Sequence, residues 1–421
     1  MKIKVQRPRG MKDIVYPESE FYLKIREIIN NYSLLNGFKY IETPIIEDLK
    51  VFTSSLGQSS DVIMKEMFFV KGKEKGSFYV LRPEGTAGVV RAYFENGMGS
   101  LLQPVSLFYF GKMYRRERPQ HGRFREHTQW GLEILNTEEP FADFFIIHSF
   151  YKFLLKLKIP NIVFKINSLG CGRCRSRYRK QLVNYYKKYK NKICLDCQRR
   201  LKLNPLRILD CKRNEDQEYK IGAPNILDYL CKSCEEHLQK IIEMLDNFEI
   251  PYDLDKTLVR GFDYYYRTVF EIFVGEENVA LGGGGRYDLG LILANQSLPS
   301  VGGALGIERL KIILDKLNIT FKYPQPKVFV AFVGEEVKAK AFEIYLKLQD
   351  ACYNVAANFF KSSLSAQLEV ANKIGVKYTL ILGLQELGKG EVILKDMNYG
   401  SQEILKIKNL VQELKKYLKQ K

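Results

Sequence analysis

From Ser19 to Gly37 the apolar positions Phe21, Ile25, Ile28, Ile29, Tyr32 and Leu35 recur at helical spacing, with a serine suited to the N-cap and a glycine suited to the stop. This predicts a long amphipathic helix. The next segment, Phe38 to Pro44, alternates and then meets a proline, which predicts a strand that ends there or lies at an edge, since proline donates nothing to a ladder. Further strand patterns run from Phe78 to Arg82, Val105 to Lys112, Gln129 to Leu135 and Val269 to Val274. Their irregular, hairpin-like order favours an antiparallel sheet flanked by helices, an α+β domain. Between Ser168 and Glu236 the pattern stops, and it resumes near Leu258, so 168–236 reads as an insertion dividing the first domain into 1–167 and 237–323. After Tyr323-Pro324-Gln325-Pro326, strand patterns at 328–333 and 379–383 alternate with helical ones at 338–350 and 363–374. That alternation predicts a small α/β domain over 327–421. The lysine-rich end from Leu414 reads as a helix end with a solvated face.

With 421 residues, 46% hydrophobic and 27% charged, the chain can build two or three cored domains, which excludes a disordered or fibrous protein. No apolar run reaches the ~18 to 20 residues that span a bilayer. The basic start, Met1 to Gly10, has no apolar stretch behind it, so a cytoplasmic location is expected. The net charge of +18 calls for a polyanionic partner, and its distribution says where: 168–236 holds 17 Lys and Arg against 8 Asp and Glu. Half the excess thus sits in about a sixth of the chain, which marks the insertion as the expected nucleic-acid surface.

Four separated segments carry chemistry. Leu81-Arg82-Pro83-Glu84-Gly85-Thr86 sets a carboxylate and a hydroxyl at a strand end, a combination suited to an ammonium group. Tyr114 to Gln129 is more specific, because Arg115, Arg116, Arg118, Arg123 and Arg125 would repel one another unless an anion lay between some of them, and guanidinium forks match phosphate oxygens. The strand that follows has a period of two, which puts Gln129, Gly131 and Glu133 on one face. The third segment is Leu258-Val259-Arg260-Gly261-Phe262-Asp263-Tyr264-Tyr265. The fourth pairs Gly282-Gly283-Gly284-Gly285-Arg286-Tyr287-Asp288 with Gly303-Ala304-Leu305-Gly306-Ile307-Glu308-Arg309.

Arg115-Arg116-Glu117 fits the Arg-x-Glu of motif 2 in class II aminoacyl-tRNA synthetases, and the full run with Arg118-Pro119-Gln120 and Gly122-Arg123 resembles the histidyl-tRNA synthetase form. Arg260 to Tyr265 resembles the signature of that family, and Gly303 to Arg309 resembles motif 3, where glycines let backbone approach a nucleotide. The resemblance runs from Pro8-Arg9-Gly10 to the last helix. It implies a class II antiparallel core, a basic insertion touching the tRNA acceptor arm, and a C-terminal anticodon-binding domain. It implies ATP and Mg²⁺, histidine, tRNA(His), and a homodimer formed through motif 1, the helix and strand ending at Pro44. For this sequence it places Glu84, Gly85, Thr86 and Gln129 at the histidine ammonium, Glu133 and Tyr264 at the imidazole, and Tyr265 in the same pocket. Arg115, Glu117, Arg123, His127 and Arg309 would bind ATP. Arg260 would lie between the histidine carboxylate and the α-phosphate, acting catalytically with Arg115. Arg9, Arg118 and Gln120 would meet the acceptor end. Two departures stand out: His127 where the family commonly has Phe, and Trp130 where smaller apolar residues are usual. A catalytically inactive paralogue that regulates an ATP phosphoribosyltransferase shares the core but usually lacks the C-terminal domain. A synthetase for another amino acid is disfavoured by Arg260 to Tyr265.

Seven of eight cysteines fall in or beside the insertion: Cys171-x-x-Cys174, Cys194-x-x-Cys197, Cys211 and Cys231-x-x-Cys234. In an intracellular chain such pairs suggest Zn²⁺ thiolates rather than disulfides. The spacing of the first two pairs suits a four-cysteine site, but a helix over 175–189 would hold their ends ~20 Å apart. Cys171, Cys174, Cys231 and Cys234, which close the insertion at its root, are therefore the preferred set. Reduced cysteines without metal are the competing reading. Cys352 is expected in a core.

Overall fold

The predicted first helix forms as Glu18–Leu35 and buries Phe21, Ile25, Ile29 and Tyr32. It stops where Asn36 Nδ2 donates back to the Tyr32 carbonyl at 2.7 Å and Gly37 turns to φ +83°, a conformation that costs glycine little. Ser33 on its inner face accepts from Trp130 Nε1 at 3.1 Å. The indole is fully buried, with the Phe153 ring 4.4 Å away. Trp130 thus has its N–H satisfied by Ser33, a bond that a smaller apolar residue at this position could not make.

The computed structural model describes residues 5–55, 66–72, 78–117, 122–275, 280–321, 323 and 325–419. They fall into two compact units that divide after Phe321. The first unit centres on an eight-stranded sheet in the order Lys39–Tyr40, Val105–Tyr114, Glu126–Leu135, Ser300–Gly306, Gly282–Tyr287, Tyr265–Val274, Ile162–Ser168, Tyr252–Leu254. The inner pairings are antiparallel, and the two outermost are parallel. Helices Glu18–Leu35 and Pro140–Lys156 share one apolar cluster with this sheet. The pattern at 38–44 yields only the two-residue strand 39–40. That at 78–82 forms Phe78–Leu81, but in a separate three-stranded sheet with Ile46–Asp48 and Phe68–Lys71.

The two central glycine-rich strands were not foretold by any alternation, and glycine weakens strands. Their necessity is steric. A Cβ on Gly284 would lie 2.0 Å from the Gly302 carbonyl oxygen, and one on Gly302 would lie 1.6 Å from Glu133 Oε2.

Within 168–236 the chain forms helices Gly172–Lys187, Leu195–Leu203 and Asn214–Ile221. Their apolar faces, including Tyr178, Leu182, Tyr186 and Leu201, join one cluster with Val259, Tyr264 and Tyr265, so this segment shares a core with the cavity described below. The second unit holds a sheet in the order Val355–Ala357, Val328–Phe332, Tyr378–Leu382, Glu391–Asp396, Gln402–Lys406. The first three strands are parallel, and the last two add an antiparallel hairpin that the β/α alternation did not indicate. Cys352 is exposed rather than in a core. It follows the helix Glu335–Asp350 at φ +60°, in the reversal where the chain leaves the helix. No helix among the described residues is long and apolar enough to cross a membrane.

Candidate active site

One cavity of about 670 Å³ opens on the face of the large sheet where the four motif segments converge. At one end, Glu84 precedes the helix Thr86–Glu95 and accepts from the N–H groups of Thr86 (2.7 Å) and Ala87 (2.8 Å). The positive end of the helix favours an anion there, yet burial is the larger effect and holds the Glu84 carboxyl above its usual range. The Thr86 hydroxyl donates to Glu133 Oε1 and the Tyr287 hydroxyl to Oε2, each at 2.7 Å. The Tyr109 ring lies against Gly85 and Gly131, where a Cβ would come within 2.3 Å and 2.1 Å of its Cζ. Gly85 and Gly131 are thus the space that admits a phenol beneath the cavity floor. Glu133 itself is fully buried, one layer behind the wall.

Burial pushes the Glu133 carboxyl up to about 8, against the two hydroxyl donors. A carboxyl with a folded pKa above its unfolded one gives stability that is complete below about pH 4.5 and lost as pH rises through about 8. The ligand-free protein should therefore lose stability across that window with a slope of up to about 1.4 kcal/mol per pH unit. Glu133→Gln should flatten the curve, as read from urea unfolding at stepped pH. An unchanged slope would mean Glu133 is ionised in the fold.

The other end gathers positive charge. Arg115 Nε donates to the Pro83 carbonyl at 2.8 Å and its guanidinium lies 5.5 Å from the Phe262 ring centroid. Glu117 stands 3.9 Å from Arg115 and 3.4 Å from Arg123. Arg309 donates to the carbonyls of Ala280 (2.5 Å) and Gly122 (3.4 Å). Burial first, then the nearby charge of Arg123, holds Arg309 below its ordinary value, the signature of cations crowded around a place for an anion. His127 is lowered to about 3 by burial and by Arg115 and Arg309, so it presents a neutral ring to the cavity.

Between the ends, Arg260 pairs with Glu271 at 2.6 Å and sits 5.8 Å from the Tyr265 ring centroid. Among the described residues, its Nε and the Tyr264 hydroxyl are buried with no hydrogen-bond partner. Each such atom costs about 1–3 kcal/mol, which a polar ligand would relieve.

Residues 10–173 and 221–310 match the family model described as Histidyl-tRNA synthetase. The chain belongs to the histidyl-tRNA synthetase family. It is a class II aminoacyl-tRNA ligase, 39% identical over 417 residues to the histidine–tRNA ligase of Halothermothrix orenii, with 98% of this chain and 99% of that one covered. It is 41% identical to the histidine–tRNA ligase of Thermosipho melanesiensis over 94% of each chain. Residues 327–417 match an anticodon binding domain. The apo crystal structure of Staphylococcus aureus histidyl-tRNA synthetase has a TM-score of 0.82 to this chain at 28% identity, covering 97% of this chain and 99% of that one.

In this synthetase the cavity wall holds Glu84, Thr86 and Gln129 at one end, Arg115, Glu117, Arg123, His127 and Arg309 at the other, and Arg260, Tyr264 and Tyr265 between. Arg9 is exposed and off the wall, where its carbonyl accepts from Arg125 Nη1 at 3.2 Å. Arg118 and Gln120 lie outside the described residues. Wall residues that escaped the motif reading include Tyr109 and Glu271, while Tyr287, which the glycine-rich segment contained, stands behind the wall on Glu133. Glu271 left a trace, a carboxylate inside the apolar run Val269-Phe270-Glu271-Ile272-Phe273.

Cys171, Cys174, Cys231 and Cys234 converge, with all ligand atoms within 4.8 Å of one another. The helices Gly172–Lys187 and Lys232–Asn247 begin directly after Cys171 and Cys231. Burial alone would raise the Cys171 thiol, but the N–H groups of Cys174 and Arg173 help bring it down to about 6. The competing pairing of the first two Cys-x-x-Cys pairs does not form, because the helix Gly172–Lys187 separates them.

Proposed function

We propose that this chain ligates histidine to tRNA(His) in two steps. The histidine carboxylate attacks the α-phosphorus of MgATP, expelling diphosphate and leaving a histidyl-adenylate. A terminal ribose hydroxyl of the tRNA then attacks the acyl carbon and releases AMP. The observation that carries this reading is a single cavity with carboxylate and hydroxyl groups at one end, clustered arginines at the other, and two unpartnered polar atoms between them. The geometry asks little covalent chemistry of the protein: catalysis comes from alignment and from fixed charge around the pentavalent phosphorus.

Glu84, Thr86 and Gln129 hold the histidine ammonium, with Gly85 giving the close approach. Tyr264 meets one imidazole nitrogen, and Glu133, which lies one layer behind the wall without ligand, reaches the other as histidine enters, through lone pairs beyond those used by Thr86 and Tyr287. Tyr265 lines the pocket. Arg260 and Arg115 carry the charge at the reacting phosphate. Glu117, Arg123 and Arg309 bind the rest of the nucleotide, against which the neutral His127 ring lies. Magnesium enters with the nucleotide, and the carboxylates of Glu117 and Glu271 are oxygen donors of the kind it takes. Arg9, Arg118 and Gln120 meet the acceptor end, the basic insertion 168–236 between core parts 1–167 and 237–323 touches the acceptor arm, and the domain over 327–421 reads the anticodon. The chain works as a cytoplasmic homodimer. Zinc at Cys171, Cys174, Cys231 and Cys234 closes the root of the insertion; sulfur separations of 3.6 Å and 4.0 Å about Cys171 sit near the ~3.8 Å edge of a tetrahedral zinc–thiolate site.

The test is ATP–diphosphate exchange with each of the twenty amino acids, without tRNA. Exchange that depends on histidine alone is expected. A folded protein with no exchange would point instead to the regulatory paralogue, which the match over 327–417 disfavours. Tyr264→Phe should lower kcat/KM for histidine about 10- to 100-fold, with the effect seen in KM for histidine more than in KM for ATP. Equal effects on both would remove Tyr264 from imidazole recognition.

A further inference from the structure

The cysteines at the root of the insertion leave three others inside it. Cys194 and Cys197 flank the start of the helix Leu195–Leu203, Asp216 lies in the first turn of Asn214–Ile221, and Cys211 sits in the connection between them. Their ligand atoms all lie within 4.8 Å of one another. We infer that Cys194, Cys197, Cys211 and Asp216 form a second structural metal centre, which takes zinc in a tetrahedron of three thiolates and one carboxylate oxygen.

Geometry supports the set. The three thiols are free, and the 3.9 Å between the sulfurs of Cys194 and Cys211 far exceeds the ~2.05 Å of a disulfide. It matches instead the ~3.8 Å edge that zinc–sulfur bonds of 2.3 Å give a tetrahedron. Cys211 Sγ donates to Asp216 Oδ2 at 2.9 Å; a shared cation replaces that proton and widens the contact to about 3.5 Å. Burial supports it too. The four residues are between 0% and 6% exposed, and among the described residues no lysine or arginine forms an ion pair with Asp216. An ionised carboxylate hidden in this way requires a cation or strong donors. The N–H groups of Cys194 and Cys197 already donate to Asp216 Oδ1 (2.9 Å) and to Cys194 Sγ (3.4 Å), the outer-shell bonds that orient metal ligands. Binding displaces the three thiol protons and leaves a centre of net charge −2 within the chain's most basic stretch.

The centre also bears on the reaction cavity. Cys194, Cys211, Arg200 and Arg207 stand on its wall, Arg200 donates to the Arg207 carbonyl at 3.2 Å, and Arg207 to the Arg260 carbonyl at 3.4 Å. A cross-link from 194 to 216 fixes the segment that bears on Arg260.

Metal content of the full-length protein, expressed with zinc and freed of loose metal, tests the inference. The chain should carry a metal that Cys171→Ser/Cys231→Ser leaves in place and Cys211→Ser removes: two zinc per chain if the root cluster is also filled, one if it is not. Cobalt added to the metal-stripped Cys171→Ser/Cys231→Ser variant should produce thiolate-to-cobalt charge-transfer absorption that saturates at one equivalent. Asp216→Asn preserves volume, so its fold stands if Cys211→Ser fails to fold. It should release this metal to a chromogenic chelator at least tenfold faster. A chain with no zinc, with one zinc lost on Cys171→Ser/Cys231→Ser, or with release unchanged by Asp216→Asn overturns the inference.

Discussion

Arg260→Ala is expected to lower histidine-dependent ATP–diphosphate exchange by about 10³-fold or more while leaving the unfolding midpoint almost unmoved. The two halves of that expectation come from different features of one side chain. Its Nε is buried with no partner among the described residues, a desolvated donor held ready between the two ends of the cavity, so the charge is preorganised and strong. The group it would abandon on truncation, Glu271, is 27% exposed and can be hydrated in place, so stability should fall by no more than about 1 kcal/mol. Arg260→Lys should recover part of the rate, because it keeps the charge and loses the planar fork. Exchange within tenfold of the parent in Arg260→Ala, with circular dichroism unchanged, would remove Arg260 from the reaction.

How much of this was legible depended on whether the signal was local. The helix Glu18–Leu35 could be read because its period and stop lie within one segment, but Ser19 falls inside the first turn rather than capping it, and Pro17 stands at the N-cap with no side-chain cap bond. That Glu84, Arg115, Gln129, Arg260 and Arg309 share one cavity wall could be read because their motifs are contiguous and unusual. The role of Tyr109 could not, since it exists only through register: Tyr109 stands directly across from Gly131 on the next strand, and neither residue is informative alone. The glycine-rich strands hid for a related reason, in that local propensity opposes them and only the approach of a neighbouring backbone or of Glu133 demands them. Cys211 and Asp216 fit no Cys-x-x-Cys spacing, so folding alone brings them to Cys194 and Cys197. The first two cysteine pairs are close to a common zinc spacing, and the intervening helix is what sends them to different clusters.

Arg286 shows a motif residue whose work lies behind the site. It follows the four glycines Gly282 to Gly285, yet its guanidinium is fully buried and bonded to Asp143, with further donation to the carbonyls of Thr137 (2.5 Å) and Glu139 (2.9 Å). Burial by itself would raise the Asp143 carboxyl; Arg286, with His237 3.5 Å away, overcomes this and holds it below its ordinary value. The pair ties the helix Pro140–Lys156 to the strand Gly282–Tyr287, two elements far apart in sequence. Asp143→Ala strands a guanidinium at 0% exposure and should cost about 3–5 kcal/mol. The single tryptophan, Trp130, lies buried in the same unit, so its fluorescence during urea unfolding reports that unit and not the C-terminal one. Because a carboxylate with a lowered folded pKa gives stability above its unfolded value of about 3.8 and loses it as pH falls through the folded one, the parent's advantage over Asp143→Ala should shrink only in acid. Asp143→Leu/Arg286→Met, which removes both charges, should recover most of the loss. A single substitution costing under about 1 kcal/mol, or a double variant no better than the single, would show that water reaches this pair and that the strand is held by packing alone.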